Sequence, residues 1–162
     1  KYDGVSVGMR LFNKKIKSQT FSIDTFPEYS FNEKSLVGSI RSVFKFYNDY
    51  KKNYLTQFQI FGSSYHYNSN LRYSVFVPSL SWVFRTSDLR SNKTQLFNIS
   101  WYNVQREKDL NIKTDPDYSI FNFRYDYLNK GAIKYFTFRS SIELSKNFGK
   151  VIFENNYHYI FQ

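Results

Sequence analysis

Tyr135-Phe-Thr-Phe-Arg-Ser-Ser-Ile-Glu-Leu144 decides the fold of this chain. Phe136, Phe138, Ile142 and Leu144 fall on even positions, and Thr137, Arg139, Ser141 and Glu143 fall between them. A period of two is that of a β-strand with one face in an apolar medium and the other in a polar one. Phe121-Asn-Phe-Arg-Tyr-Asp-Tyr127 repeats the pattern, with rings at 121, 123, 125 and 127 against Asn122, Arg124 and Asp126. Outward from these two copies the same writing recurs in about nine segments, at residues 1–12, 19–29, 36–47, 54–67, 71–86, 94–106, 117–128, 133–146 and 150–162.

The breaks between segments carry turn residues: Asn13 with Lys14, Asn32 to Ser35, Asn48 to Asn53, Asn68 to Asn70, Ser87 to Lys93, Asn129 to Gly131, and Asn147 to Gly149. The one long break is Glu107 to Pro116. Strands joined so closely must be antiparallel neighbours, because a parallel return needs a crossover of a dozen residues or more. The reading is therefore all-β, an antiparallel up-and-down meander of about nine strands in a single domain spanning residues 1–162. The segments exceed the roughly 5 or 6 residues usual in globular sheets and approach the roughly 9 to 11 that cross a bilayer obliquely. All or part of a transmembrane β-barrel is expected. Near Gly62 the apolar phase passes from Phe58 and Ile60 to Tyr65 and Tyr67, which predicts a bulge or a misassigned strand.

Assigning faces sharpens the expectation. One face collects Phe76, Leu80, Trp82, Phe84, Phe97, Ile99, Trp101, Phe121, Phe123, Phe136, Phe138, Val151, Phe153, Tyr157, Tyr159 and Phe161 with almost no charge, as contact with hydrocarbon demands. The other collects Asn122, Arg124, Asp126, Arg139, Glu143, Glu154, Asn156 and His158, which a dry core holds only with extensive pairing. Arg124, Asp126, Arg139, Glu143 and Glu154 are read as a charge network inside the barrel. Tyr47, Tyr54, Tyr65, Tyr67, Tyr102 and Tyr159 stand near strand ends, where amphipathic rings form interfacial girdles. A soluble sandwich would invert this arrangement, with rings inside and charges in bulk water; alternation by itself permits both.

Composition agrees. Aromatic residues make up 22% of the 162 residues, with 15 Tyr and 18 Phe, yet the mean hydropathy is −0.55. No apolar run approaches the roughly 18 residues of a membrane helix, so any crossing is by strands. An AT-rich coding sequence inflates Lys, Asn, Tyr, Phe and Ile, but it does not produce alternation. The net charge of +10 raises nucleic-acid binding. The cations are dispersed, in breaks (Lys14, Lys15, Lys17, Lys51, Lys52, Lys146, Lys150) and opposite rings (Arg41, Arg124, Arg139), so no nucleic-acid partner is expected. Lysines in breaks suit the membrane rim, where lipid phosphates lie. Zero Cys excludes disulfides and thiolate metal sites.

Chemical motifs are few. His66 and His158 sit in matching Tyr-His-Tyr triplets, both expected on the polar face and neither expected to bind metal. Asp109, Asp115 and Asp117 crowd the long break without the spacing of a calcium loop. There is no His-Glu-x-x-His, no Gly-x-Ser-x-Gly and no phosphate-cradling glycine loop, so no catalytic residue, metal ligand or cofactor is expected. Asn92-Lys-Thr94 and Asn98-Ile-Ser100 match glycosylation sequons that are common by chance.

Three stretches carry a family likeness: Tyr2-Asp-Gly-Val-Ser-Val-Gly-Met-Arg-Leu-Phe-Asn-Lys14, Ser87-Asp-Leu-Arg-Ser-Asn-Lys-Thr-Gln95 and Asp115-Pro-Asp-Tyr-Ser-Ile-Phe-Asn-Phe-Arg-Tyr125. In these the chain resembles the C-terminal barrel of Bacteroidota outer-membrane proteins, attached there to relatives of M1 zinc aminopeptidases. The resemblance implies an outer-membrane location in a Gram-negative bacterium. It also implies an anchoring or scaffolding role for an attached domain or partner subunits, in contact with outer-membrane lipid and lipopolysaccharide. The family's zinc helix has no counterpart in this sequence, so no catalytic residue carries over. An odd strand count and a start at Lys1 lead us to expect a portion of a longer polypeptide. The alternatives are an outer-membrane channel or transporter and a soluble secreted β-sheet binding protein.

Overall fold

Ten strands account for nearly all of the regular structure in a computed structural model, which describes residues 3–13, 20–48, 52–86, 88, 90–108, 117–131 and 134–159. They are β1 (Ser6–Gly8), β2 (Leu11–Phe12), β3 (Phe21–Ser30), β4 (Ser35–Tyr47), β5 (Asn53–Asn68), β6 (Leu71–Arg85), β7 (Lys93–Arg106), β8 (Tyr118–Lys130), β9 (Lys134–Ser145) and β10 (Gly149–Tyr159). Their order is a path, β1-β3-β4-β5-β6-β7-β8-β9-β10, with β2 also on β3. Neighbours in sequence are neighbours in space, which is an antiparallel meander.

Where nine segments were expected, the first is split into two, and Pro27 explains the split. β1 and β2 lie on β3 in one continuous register, Gly8 opposite Glu28 and Leu11 opposite Thr25. Between them the Met9 N–H donates to the Pro27 carbonyl at 3.2 Å. A proline has no N–H to return that bond, so the ladder lapses for Met9 and Arg10 and resumes beyond them. On its other side Pro27 faces Gly38, whose φ is +137°. A Cβ there would lie 2.1 Å from the Phe26 carbonyl oxygen, so only glycine fits this close approach.

The expected break near Gly62 is absent: Asn53–Asn68 runs unbroken. A Cβ on Gly62 would lie 3.5 Å from Ile40 Cγ2, which places this position on the face of Ile40. Phe61, with the Arg41 guanidinium 5.5 Å from its ring centroid, takes the opposite face. The change of apolar phase is a change of residue size, Gly62 and Ser64 following Phe58 and Ile60 on the same face, and the strand itself continues.

The strands divide into two compact units. The first comprises Lys1–Phe44, Gln59–Pro78 and Trp101–Ser119. It holds the buried apolar side chains Val37, Val43, Val77 and Val104 together with buried Ser30 and His66. The turn from β3 to β4 closes on Ser30, whose hydroxyl accepts from the Glu33 N–H at 3.2 Å, and Lys34 adopts φ +47°. The turn after β5 uses Asn68 Oδ1 as acceptor for the Ser69 N–H at 2.9 Å, with Asn70 at φ +53°.

The second unit comprises Lys45–Phe58, Ser79–Ser100 and Ile120–Gln162. Its buried residues among those described are polar: Ser100, Asp126 and Ser141. Many of its large apolar side chains are instead exposed, among them Phe97, Phe121, Ile142, Leu144, Val151, Phe153 and Tyr157. Register sorts them: Phe121, Phe123 and Tyr127 stand opposite Leu144, Ile142 and Phe138, while Ile142 and Phe136 stand opposite Val151 and Tyr157. Directly opposed residues share a face, so the exposed rings of β8, β9 and β10 form one surface.

Candidate functional site

The polar face of β8, β9 and β10 carries the densest chemistry of the second unit. Arg124 and Asp126 are two residues apart on β8 and so point to one side. Register then sets Asp126 opposite Arg139, and Arg139 opposite Glu154. The Arg124 Nε–H donates to Asp126 Oδ2 at 2.7 Å, and the Arg139 Nε–H donates to Asp126 Oδ1 at 2.7 Å. Arg139 Nη1 continues to Glu154 Oε2 at 3.0 Å. Four of the five residues expected to form a charge network thus make one ladder across three strands. The fifth, Glu143, stands opposite Asn122 and accepts from its Nδ2 at 3.3 Å, beside the ladder.

Two arginines divide one sheltered carboxylate, whose residue is 7% exposed. Each oxygen of Asp126 holds its own guanidinium, in the charge-assisted geometry that makes such bonds strong. The arginine side chains are nearly half exposed, so they keep much of their hydration while compensating the buried charge. Chemically the ladder is a clamp between strands. A carboxylate with both oxygens taken by arginines is poorly placed to carry protons.

The opposite face is a row of rings. Phe84 and Phe97 meet edge to face at 5.7 Å, Phe97 and Tyr125 at 4.7 Å, Tyr125 and Phe138 at 6.2 Å, and Phe138 and Phe153 at 6.4 Å. Tyr127 and Phe136 add a tilted contact at 6.0 Å. These are the separations at which aromatic pairs attract beyond simple burial. Trp82 is two residues from Phe84, and Trp101 is four from Phe97, so alternation sets both on this face. Trp101 meets Phe76 edge to face and donates its indole N–H to Ser119. Tyr157 and Tyr159 extend the face along β10, with Lys134 Nζ 5.8 Å from the Tyr159 ring centroid.

In the first unit the polar groups gather around β3. Arg10 makes a two-pronged contact with Asp24, at 2.9 and 2.6 Å. Glu28 accepts from the hydroxyls of Ser6 at 2.7 Å and Tyr65 at 3.3 Å. Asp3 takes His66 Nδ1 at 2.6 Å, and its backbone carbonyl accepts from the buried Ser30 hydroxyl at 2.8 Å. His66 is thus tied to a carboxylate in this unit, whereas His158 lies in the other, 5.8 Å from Tyr135. Asp117 accepts the Arg106 N–H at 2.8 Å and pairs with Lys108 at 3.6 Å; Asp109 and Asp115 lie outside the described residues. Among the described residues no three His, Cys, Asp or Glu side chains converge as metal ligands would.

Arg10, Asp24, Glu28 and the partner of His66 were missed at the level of sequence. Asp24, Phe26 and Glu28 alternate with Ile23, Thr25 and Pro27, so the period of two was there to be read. Their partners, Arg10 between β1 and β2, Ser6 on β1 and Tyr65 on β5, depend on register and were not. Comparison with known proteins adds nothing to this geometry: no family model, no curated protein and no solved structure matches the chain.

Proposed function

We propose that this chain is the membrane-spanning β-barrel, or most of one, of an outer-membrane protein in a Gram-negative bacterium. There it serves as anchor or scaffold for an attached domain or partner subunits. One observation carries the reading: among the described residues of the second unit the fully buried side chains are polar or charged, while large apolar ones such as Phe121, Leu144 and Phe153 are exposed, Phe153 being 68% and Asp126 7% exposed. In water that arrangement loses on both counts, since apolar surface stays wet and a carboxylate is desolvated. In a bilayer it is the favourable one.

Strand dimensions agree. The eleven residues of β10, at about 3.3 Å each and a tilt near 45°, rise about 25 Å, the height of the apolar band of such barrels. No helix of the described residues is long and apolar enough to cross a membrane. The paired ladder favours anchoring over conduction, because charges committed to one another across three strands brace the sheet. The likeness of three sequence stretches to Bacteroidota barrels points the same way.

The test is extraction. The native protein should leave membranes only with detergent and should migrate faster on a gel when unheated than when heated. A species that stays soluble without detergent and shows no heat shift would overturn the proposal and favour a secreted β-sheet binder.

A further inference from the structure

Two adjoining hollows lie on the ring-bearing face of the second unit. The first, about 660 Å³, is walled by Trp82, Phe97, Ile99, Phe123 and Ile142. The second, about 470 Å³, sets Lys52, Arg85 and Lys93 around Phe84, Phe97 and Tyr127. Phe84 and Phe97, in edge-to-face contact, line both, so an apolar trough leads directly into a basic one. No carboxylate is among the residues that line either hollow.

The gradient is built into the sequence of β7. Lys93, Gln95, Phe97 and Ile99 are successive residues of one strand face, passing from cation through amide to ring and alkyl. The remaining cations are fixed at the same end. Arg85 lies 4.9 Å from the Tyr54 ring centroid, and its N–H donates to the Lys52 carbonyl at 2.9 Å, which holds Lys52 beside it. Cations at a strand end beside an apolar wall are placed where lipid phosphates lie at the rim of a bilayer.

We infer that these hollows bind an anionic phospholipid, its phosphate between Lys52 and Lys93 at the strand ends and an acyl chain along Trp82, Ile99 and Phe123. The inference rests on the membrane-spanning reading and deepens it. Charge complementarity selects the occupant: an anionic head matches a lining that carries cations and no carboxylate, and a free phosphate leaves the trough wet. The site recognises net negative charge at the head through charge-assisted bonds, while any chain of suitable length fills the trough.

The chain contains two tryptophans, so Trp101→Phe leaves Trp82 in the trough as sole reporter. This full-length variant is reconstituted into phosphatidylcholine vesicles in which roughly one lipid in five is brominated, as either phosphatidylglycerol or phosphatidylcholine. Trp82 emission should be quenched at least about twofold more by the brominated anionic lipid, and Lys52→Gln with Lys93→Gln should erase the difference. Equal quenching by the two lipids, or a difference that survives the double substitution, would overturn the site and leave the membrane reading standing. Absence of quenching by either lipid would overturn both. The unsubstituted chain supplies an independent readout: native mass spectrometry from mixed micelles should retain a phosphatidylglycerol adduct that the lysine double variant loses. Retention by both proteins, or by neither, contradicts the inference.

Discussion

The two faces of β8, β9 and β10 are made by the same backbone and held by opposite means. On one, Arg124, Asp126, Arg139 and Glu154 join in contacts of 2.7 to 3.0 Å that each require a given partner. On the other, Tyr125, Phe138 and Phe153 touch at centroid separations of 6.2 and 6.4 Å that many apolar residues could provide. The polar face thus fixes which residues stand opposite one another, because a slip by one residue would separate Asp126 from Arg139, or Arg139 from Glu154, and exchange the faces. The ring face sets the medium in which the sheet is stable. Register comes from the ladder; on the membrane-spanning proposal, location comes from the rings.

Substitutions that exchange the properties of the faces should break this contrast. The largest effect is expected from Phe153→Arg. On a lipid-facing strand near mid-bilayer it should cost about 2–4 kcal/mol of folding stability in vesicles, whereas at an exposed site in water it would change stability by less than about 0.5 kcal/mol. Urea titration of the vesicle-folded protein reads the difference. Asp126→Ala comes next. It strands two arginines beside an emptied acceptor, and because both remain partly solvated the expected loss is about 2 kcal/mol, below that of a wholly buried pair. The same titration measures it, and raised salt should soften the penalty.

Smaller changes sharpen the picture. Phe138→Leu keeps apolar contact with the surroundings but removes a ring that meets both Tyr125 and Phe153. It should cost about 1 kcal/mol, and a double-mutant cycle with Phe153→Leu should show the two losses to be less than additive. Arg124→Ala is expected to be the mildest, about 0.5 kcal/mol, since Arg139 still holds Asp126. If Arg124→Ala proved as damaging as Asp126→Ala, the ladder would depend on both cations equally and not on the shared carboxylate.

Most of the fold was legible because period-two alternation is dense and the turns are short. The segments at 54–67, 71–86 and 94–106 fall within a residue of β5, β6 and β7. The split of the first strand was not visible there, since its cause, the missing N–H of Pro27, lies in the next strand and acts only once register brings it to Met9. Gly38 was unreadable for the same reason: its positive φ makes sense only with Phe26 and Pro27 beside it. Arg124, Asp126, Arg139 and Glu154 could be placed on one face from alternation, but their pairing, and Glu143 standing apart with Asn122, needed the register of two strand pairs. The basic hollow escaped reading altogether. Lys52, Arg85 and Lys93 sit at the ends of three different strand segments, and proximity of that kind leaves no periodic trace.

The account turns on which medium the rings of β8 meet. The chain has no cysteine, so Phe123→Cys and Arg124→Cys each give a unique site for a nitroxide label in protein folded into vesicles. Relaxation by dissolved oxygen should dominate at 123 and relaxation by a water-soluble nickel chelate at 124. Equal relaxation by the nickel chelate at both positions would mean that the rings face water, and the membrane-spanning reading would fall.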